Sequence, residues 1–322
     1  MGAFVVPAAF KLTIVNLNAA GTTKAPTSEI SSIDIYWDGG SKTGIQLAAG
    51  EKTVSGLNIV VPQDDTNILT IKANLNTWAG QAVSGNVVNL GIKEAGDVST
   101  YFEAVGSASG ETIYQAISGS LLGGNPMYVR RTKPIVIADE YDGTLGNNQM
   151  DLITFTITAD ANEDVALQRI TFDYSVFDAT SGGNSITGID FYRGSTKIVE
   201  LTDIDTISDI SNTTSTTGVL SLSWLTEKEE IVPAGKTRTY TLKGVGQGFA
   251  EDDSFSIRIA EETNTNAAEL TNYNTLTADT YLIWSDNYKG VNHSAAYATT
   301  QYDWCAGTYV DTLPSNWSSW TK

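Results

Sequence analysis

"LITFTITAD" (Leu152–Asp160) and "LQRITFDYSV" (Leu167–Val176) decide how this chain folds. In the first, Ile153, Phe155 and Ile157 alternate with Thr154, Thr156 and Thr158; in the second, Ile170, Phe172 and Tyr174 repeat the pattern. Successive side chains of an extended strand point to opposite faces. A two-residue period therefore gives each strand one apolar face and one polar face. β-branched and aromatic residues, which suit a half-buried pleated surface, fill both runs. The same rhythm returns in "TRTYTLKGV" (Thr237–Val245) and "SFSIRIA" (Ser254–Ala260). Turn signals at Asp38-Gly39-Gly40, Gly182-Gly183-Asn184 and Ala234-Gly235-Lys236 separate such runs. No long amphipathic helix pattern interrupts them. The expectation is an all-β chain of immunoglobulin-like antiparallel sandwiches.

An internal repeat points to two copies. "SIDIY" (Ser32–Tyr36) matches "GIDFY" (Gly188–Tyr192), and "VPQDDTNILTIK" (Val61–Lys72) matches "VPAGKTRTYTLK" (Val232–Lys243). The first pair is offset by 156 residues and the second by 171, which places an insertion in the second copy. The polar stretch "TDIDTISDISNTTSTTG" (Thr202–Gly218) is its natural place. Chance likeness between threonine-rich strands is the competing reading. The basic, proline-bearing "YVRRTKPIV" (Tyr128–Val136) reads as a linker. The expected organisation is one sandwich over 1–129, a second over 130–285, and an irregular aromatic-rich docking tail over 286–322.

Composition narrows the partners. The chain of 322 residues has 37 acidic and 19 basic residues, a net charge of −18 and only 17% charged residues. Dispersed negative charge repels phosphates, which makes nucleic acid and anionic membrane surfaces poor partners. No apolar run is long enough to span a membrane as a helix. A single cysteine, Cys305, precludes an intrachain disulfide, and domains of this size need none. The start, "MGAFVVPAAF", is apolar but lacks the positive n-region of a signal peptide.

Four pieces carry a family resemblance: "RRTKPIVIAD" (Arg130–Asp139), "LITFTITADANEDVALQRITFDYSV" (Leu152–Val176), "VPAGKTRTYTLKG" (Val232–Gly244) and "YLIWSDNYKGVNHSAAYATTQYDWCAGTYVDTLP" (Tyr281–Pro314). Over residues 130–314 the chain resembles surface proteins of candidate-phyla, Patescibacteria-type bacteria. Their recurrent ending is built on an I-W-S-D, H-S, D-W, L-P pattern. The chain departs from it at Trp304-Cys305-Ala306-Gly307 and in a longer spacer before Asp303. The resemblance implies an extracellular β-sandwich of the cell envelope and brings no catalytic residues.

The residues themselves offer few sites. His293 and Cys305 are the chain's only histidine and cysteine; they lack the third orienting group and the oxyanion hole that nucleophilic catalysis needs. Too few nitrogen and sulfur ligands accompany them for zinc. Calcium is the one candidate ion: "TADANEDVAL" places Asp160, Asn162 and Asp164 at a turn, with further oxygens in "ADEYDGTLGNNQMD" (Ala138–Asp151). The competing reading is an Asx-turn at Asp160 or Asn162. Nothing singles out two carboxylates for glycoside hydrolysis. Trp78, Trp284 or Trp304 could stack on sugars, although tryptophans of this kind more often lie buried. Asn212, Asn292 and Asn316 fit the N-x-Ser/Thr pattern, which a Ser/Thr-rich chain produces by chance.

Both ends look made for docking. Trp284, Trp304, Trp317 and Trp320 crowd the last part of the chain, and an irregular segment stays ordered only when its side chains dock. The tail is expected to clasp its own domain or a neighbouring subunit. At the other end, Val5, Phe10 and Leu12 lie in a segment that reads as a first strand or as a strand donated to the next subunit. Three functional classes follow: a structural subunit of a surface filament or layer whose partners are copies of itself, an adhesin or glycan-binding module, and an enzyme acting on surface glycans. The β repeat, the polar surface and the apolar ends favour the first, which is extracellular, non-enzymatic and free of cofactors.

Overall fold

The computed structural model describes residues 10–17, 29–48, 50–62, 64–77, 86–93, 102–106, 109–113, 122–124, 127–146, 148–180, 182–211, 215–225, 228–261, 282–287, 304–306 and 310–322. The chain is all-β, and among the described residues there is no helix. It divides into two compact units, residues 1–129 and 130–322.

Unit 1 contains β1 (Phe10–Asn16), β2 (Ile30–Trp37), β3 (Gly40–Ile45), β4 (Glu51–Leu57), β5 (Thr70–Leu75), β6 (Val87–Val88), β7 (Leu90–Ile92), β8 (Phe102–Val105), β9 (Thr112–Ile113), β10 (Leu122–Gly123) and β11 (Met127–Tyr128). One sheet has the order β10-β7-β1-β8-β9, with β4 also on β1; a second is β3-β2-β5. Leu12 and Ile14 from the first pack with Ile33 and Ile35 from the second, in one core with Val54 and Leu57. Along β2, Ile33 and Ile35 face this core two residues apart, as the alternation in sequence requires.

Unit 2 contains β12 (Pro134–Ala138), β13 (Asp142–Thr144), β14 (Gln149–Ala159), β15 (Val165–Phe177), β16 (Ser185–Arg193), β17 (Thr196–Lys197), β18 (Ile210–Ser211), β19 (Thr216–Ser223), β20 (Glu230–Val232), β21 (Thr237–Gln247), β22 (Ser254–Ile259), β23 (Leu282–Ser285), β24 (Trp304–Ala306) and β25 (Ser318–Thr321). One sheet runs β12-β14-β21-β16-β17, with β18 on β16. The other runs β13-β25-β22-β15-β23-β24, with β19 and β20 also on β15. Phe155, Phe191 and Tyr240 of the first sheet meet Phe172 and Trp224 between the layers. The Phe191 and Tyr240 rings stack 5.6 Å apart, and Phe155 lies 5.9 Å from Phe172. Offset and tilted aromatic pairs of this kind add to the area they bury.

The repeat is structural. β2 pairs with β5 in the register Asp34↔Lys72 and Tyr36↔Thr70; β16 pairs with β21 in the register Asp190↔Lys243 and Tyr192↔Thr241. Each lysine ammonium lies 5.2 Å from the centre of the matched tyrosine ring. Each proline opens the same turn: Asp65 N–H donates to the Pro62 carbonyl, and Lys236 N–H to that of Pro233. The third residue of each turn has positive φ, 61° at Asp64 and 65° at Gly235. Matched residues thus make matched contacts at four levels, which chance likeness of threonine-rich strands does not produce. The stretch between the repeat segments of unit 2 is less peripheral than its polarity suggests, because Ile204, Ile207 and Ile210 enter the core.

The end of the chain corrects the expectation of an irregular tail over 286–322. Ser318–Thr321 is a regular strand, antiparallel to β22 and parallel to β13. Trp320 sits in the unit 2 core, where its indole N–H donates to the Leu152 carbonyl at 3.3 Å and its ring stacks on Tyr141 at 4.4 Å. Gly143 admits this ring, since a Cβ there would stand 2.4 Å from it. Trp320→Ala is expected to lower the stability of unit 2 by about 3–5 kcal/mol. Denaturant titration would show its unfolding transition moving to lower concentration while that of unit 1 stays in place.

Candidate interaction surfaces

The expected calcium ligands serve the backbone. Asp160 Oδ1 accepts from the Asn162 backbone N–H at 3.0 Å and from its side-chain amide at 2.5 Å, which is the Asx-turn reading. Asp164 Oδ1 accepts from the Ala234 N–H at 2.8 Å. Among the described residues, no three His, Cys, Asp or Glu side chains gather to hold a metal ion.

The expected assembly residues divide. Phe10 and Leu12 belong to β1, in register with β4 and β8 of their own unit, so this stretch is an interior strand of its own sheet. Leu12 is buried in the unit 1 core. Trp284 lies on β23, opposite Leu167 and Cys305, and its ring is buried in the unit 2 core. Trp284 and Trp320 are therefore core residues, unable to meet another subunit without unfolding. Trp304 enters β24 opposite Ser285. Trp317 reaches the surface, with the Arg258 guanidinium 4.6 Å from its ring centre. Val5, Trp78 and His293 lie outside the described residues.

Sequence reading missed a charged cluster on β16, β20 and β21. Glu230 is buried and accepts from Arg193 at 3.0 and 3.2 Å, from Arg238, and from the Tyr240 hydroxyl at 3.0 Å. A pocket of about 370 Å³ opens beside it, lined also by Lys197, Asp203, Lys228 and Glu229. Both oxygens of the Glu230 carboxylate are engaged, so it works as a brace across three strands. The only hint in sequence is "EIVPAGKTRTY" (Glu230–Tyr240), where a hairpin brings Glu230, Arg238 and Tyr240 together. Near the repeat, the Asn74 amide and the Gly44 N–H hold the Asp34 carboxyl below its ordinary range, while the Asp190 carboxylate raises Lys197.

The sheet edges are the other feature. β5 has β2 on one side and no strand on the other among the described residues. β12 ends the first sheet of unit 2 and exposes Ile135 and Ile137 beyond the threonine face of β14. No helix among the described residues is long and apolar enough to cross a membrane.

No protein-family model matches the chain, and no curated protein matches it in sequence. Among solved structures, it is similar to the full-length major pilin RrgB of Streptococcus pneumoniae, at 9% identity and a TM-score of 0.25, over 79% of this chain and 42% of that one. It is also similar to the major pilin subunit BcpA of Bacillus cereus, at 9% identity and a TM-score of 0.21, over 80% and 66% of the two chains. The C-terminal domain of the AgI/II polypeptide BspA of Streptococcus agalactiae gives 9% and 0.21, over 79% and 80%. The chain thus spans under half of the first protein and about two thirds of the second. Likeness at these TM-scores carries no functional argument.

Two predictions follow from the Glu230 brace. Glu230→Ala removes the shared acceptor of two arginines and a phenol. Because both guanidinium groups reach solvent, unit 2 should lose about 2 kcal/mol, read by denaturant titration. Burial, and then the Glu230 charge, push the Tyr240 hydroxyl well above its ordinary value of 10. A folded pKa raised above the unfolded one gives stability that is complete below pH 10 and lost as pH rises beyond it. The slope from this group is about 1.4 kcal/mol per pH unit. Tyr240→Phe should flatten the alkaline loss; an equal slope in the variant would assign that loss to other groups.

Proposed function

We propose that this chain is a non-enzymatic structural subunit of an extracellular surface polymer whose principal partner is another copy of itself. The observation that carries this reading is the edge of β5, which has no second neighbour among the described residues. Unpaired N–H and C=O groups along an edge strand are a template for another strand, and folded proteins usually cover, shorten or charge them. Here, apolar residues flank the edge: Leu75 at its end and Ile68 just before it are both exposed. A contact between an edge on one copy and a different surface on the next is heterologous, and such contacts extend into fibres or lattices. The uncharged polar surface and the resemblance to candidate-phyla surface proteins support an extracellular place. The Glu230 pocket supports a non-enzymatic reading, since its buried carboxylate is committed to a brace.

Electron microscopy of the purified protein at high concentration tests this. Ordered filaments or sheets are the expected result. Dispersed single particles under all conditions would contradict it and shift weight to an adhesin.

A further inference from the structure

The repeat supplies an internal comparison for the charged cluster of unit 2. Carried onto neighbouring residues, the two alignments set Trp37 against Arg193, Ile59 against Glu230, Asn67 against Arg238 and Leu69 against Tyr240. The registers of β2 with β3 and of β16 with β17 set Gly40 against Thr196 and Ser41 against Lys197. Unit 1 therefore builds the same turn and hairpin with no charge at any of these positions, and Ile59 is buried as Glu230 is. A buried ionic cluster is costly to desolvate, and apolar residues in its place are commonly neutral or stabilising. The hairpin does not require the cluster, so its presence in unit 2 calls for another role.

The space beside the cluster differs in the same way. In unit 1 the Trp37 indole lies over Gly40, where an added Cβ would stand 2.7 Å from the ring, and its N–H donates to the Asn58 carbonyl at 3.2 Å. Gly40 and Asn58 match Thr196 and Glu229, and the indole bridges the gap between them. In unit 2, Thr196 and Glu229 line an open pocket of about 370 Å³, a volume within the range of small-molecule sites. Arg193, Lys228 and Arg238 line it too, with Lys197, which is itself paired with Asp190. Four cations thus surround one pocket in a chain of net charge −18.

Arg193 and Arg238 each direct Nη1 to Glu230, and their Nε and Nη2 groups have no partner among the described residues. Glu230 holds two planar donor groups in place for an incoming acceptor, and a guanidinium suits a carboxylate. Asp203 and Glu229 line the same space. They repel a compact, multiply charged oxyanion and accept hydrogen bonds from hydroxyl groups.

We propose that this pocket of unit 2 binds a hydroxylated carboxylate of monosaccharide size, the chemistry of a hexuronate. The ligand carboxylate meets Arg193 and Arg238, and its hydroxyls meet Asp203, Glu229 and Thr196. This site goes beyond the polymer reading and does not depend on how copies join.

Isothermal titration calorimetry of the full-length protein with sodium glucuronate tests this. One glucuronate should bind per chain, and glucose, which lacks the carboxylate, should bind at least about tenfold more weakly. Thr196→Trp fills the pocket as Trp37 does in unit 1 and leaves the Glu230 brace intact. It should abolish binding while the unit 2 unfolding transition stays in place. Lys228→Ala, also outside the brace, should weaken binding. Methyl glucuronide binding as tightly as the free acid supports a glycan end as the source, and loss of binding on methylation supports the free acid. Four results overturn the inference. One is the lack of any saturable binding of glucuronate up to about 10 mM. Others are equal affinity for glucose, and unchanged affinity in both Thr196→Trp and Lys228→Ala. The fourth is tighter binding of inorganic phosphate, which would make the pocket a plain anion site.

Discussion

A β-sheet has to end, and how each edge ends is the constraint on which this molecule turns. Every edge strand leaves a row of main-chain donors and acceptors facing outward, together with the flank of the apolar row beneath it. Unit 2 meets this demand from its own chain. β14 covers β21, Phe155 and Ile157 finish the inward row, and β25 adds to β22 with Trp320 closing the core. Unit 1 uses the same turn, the same hairpin, the same Asp–Lys register and the same Tyr–Lys contact, yet β5 lacks a second neighbour among the described residues. The two copies of one design thus differ at this strand: β21 has a neighbour on each side, and β5 has one among the described residues.

The acidic composition takes a structural meaning from the same geometry. Several carboxylates bracket the loops between strands. Asp253 is buried and accepts from the Ala179 and Ala250 N–H groups at 2.7 and 2.6 Å. Asp178 collects the N–H groups of Thr180, Gly182 and Gly183. Asp286, also buried, receives the Arg131 N–H at 2.7 Å and so fixes the start of unit 2 against the end of β23. Hydrogen bonds to a charged acceptor are stronger than neutral ones, which suits long sandwich loops that have no disulfide to hold them. Asp160 and Asp164 belong to this group, and that is why a calcium-like spacing closes a turn.

Much of the fold was legible in the sequence because burial in a sandwich imposes a period of two. The alternation in Leu152–Asp160, Leu167–Val176 and Thr237–Val245 predicted β14, β15 and β21, and the repeated "IDIY" and "IDFY" segments marked matching strands. The tail was harder to read. Trp284 and Trp320 looked like docking residues because they lie in aromatic-rich surroundings. Composition does not say whether an aromatic residue meets its own core or another molecule, and here both meet their own core. The Glu230 brace and the position of β5 at the edge of its described sheet depend on which strands become neighbours, and strand order has no periodic signature. The edge is visible only by setting unit 1 against unit 2.

In the proposed polymer, β5, which lacks a second neighbour among the described residues of one subunit, pairs on assembly. Hydrogen–deuterium exchange of the backbone amides reads this directly, since an amide bonded within a stable sheet exchanges through opening of that sheet. Segment Thr70–Leu75 is predicted to exchange faster than its counterpart in Thr237–Gln247 in dispersed protein, and to become comparably slow when the protein assembles. Equal protection of the two segments in dispersed protein, unchanged on assembly, would contradict the account.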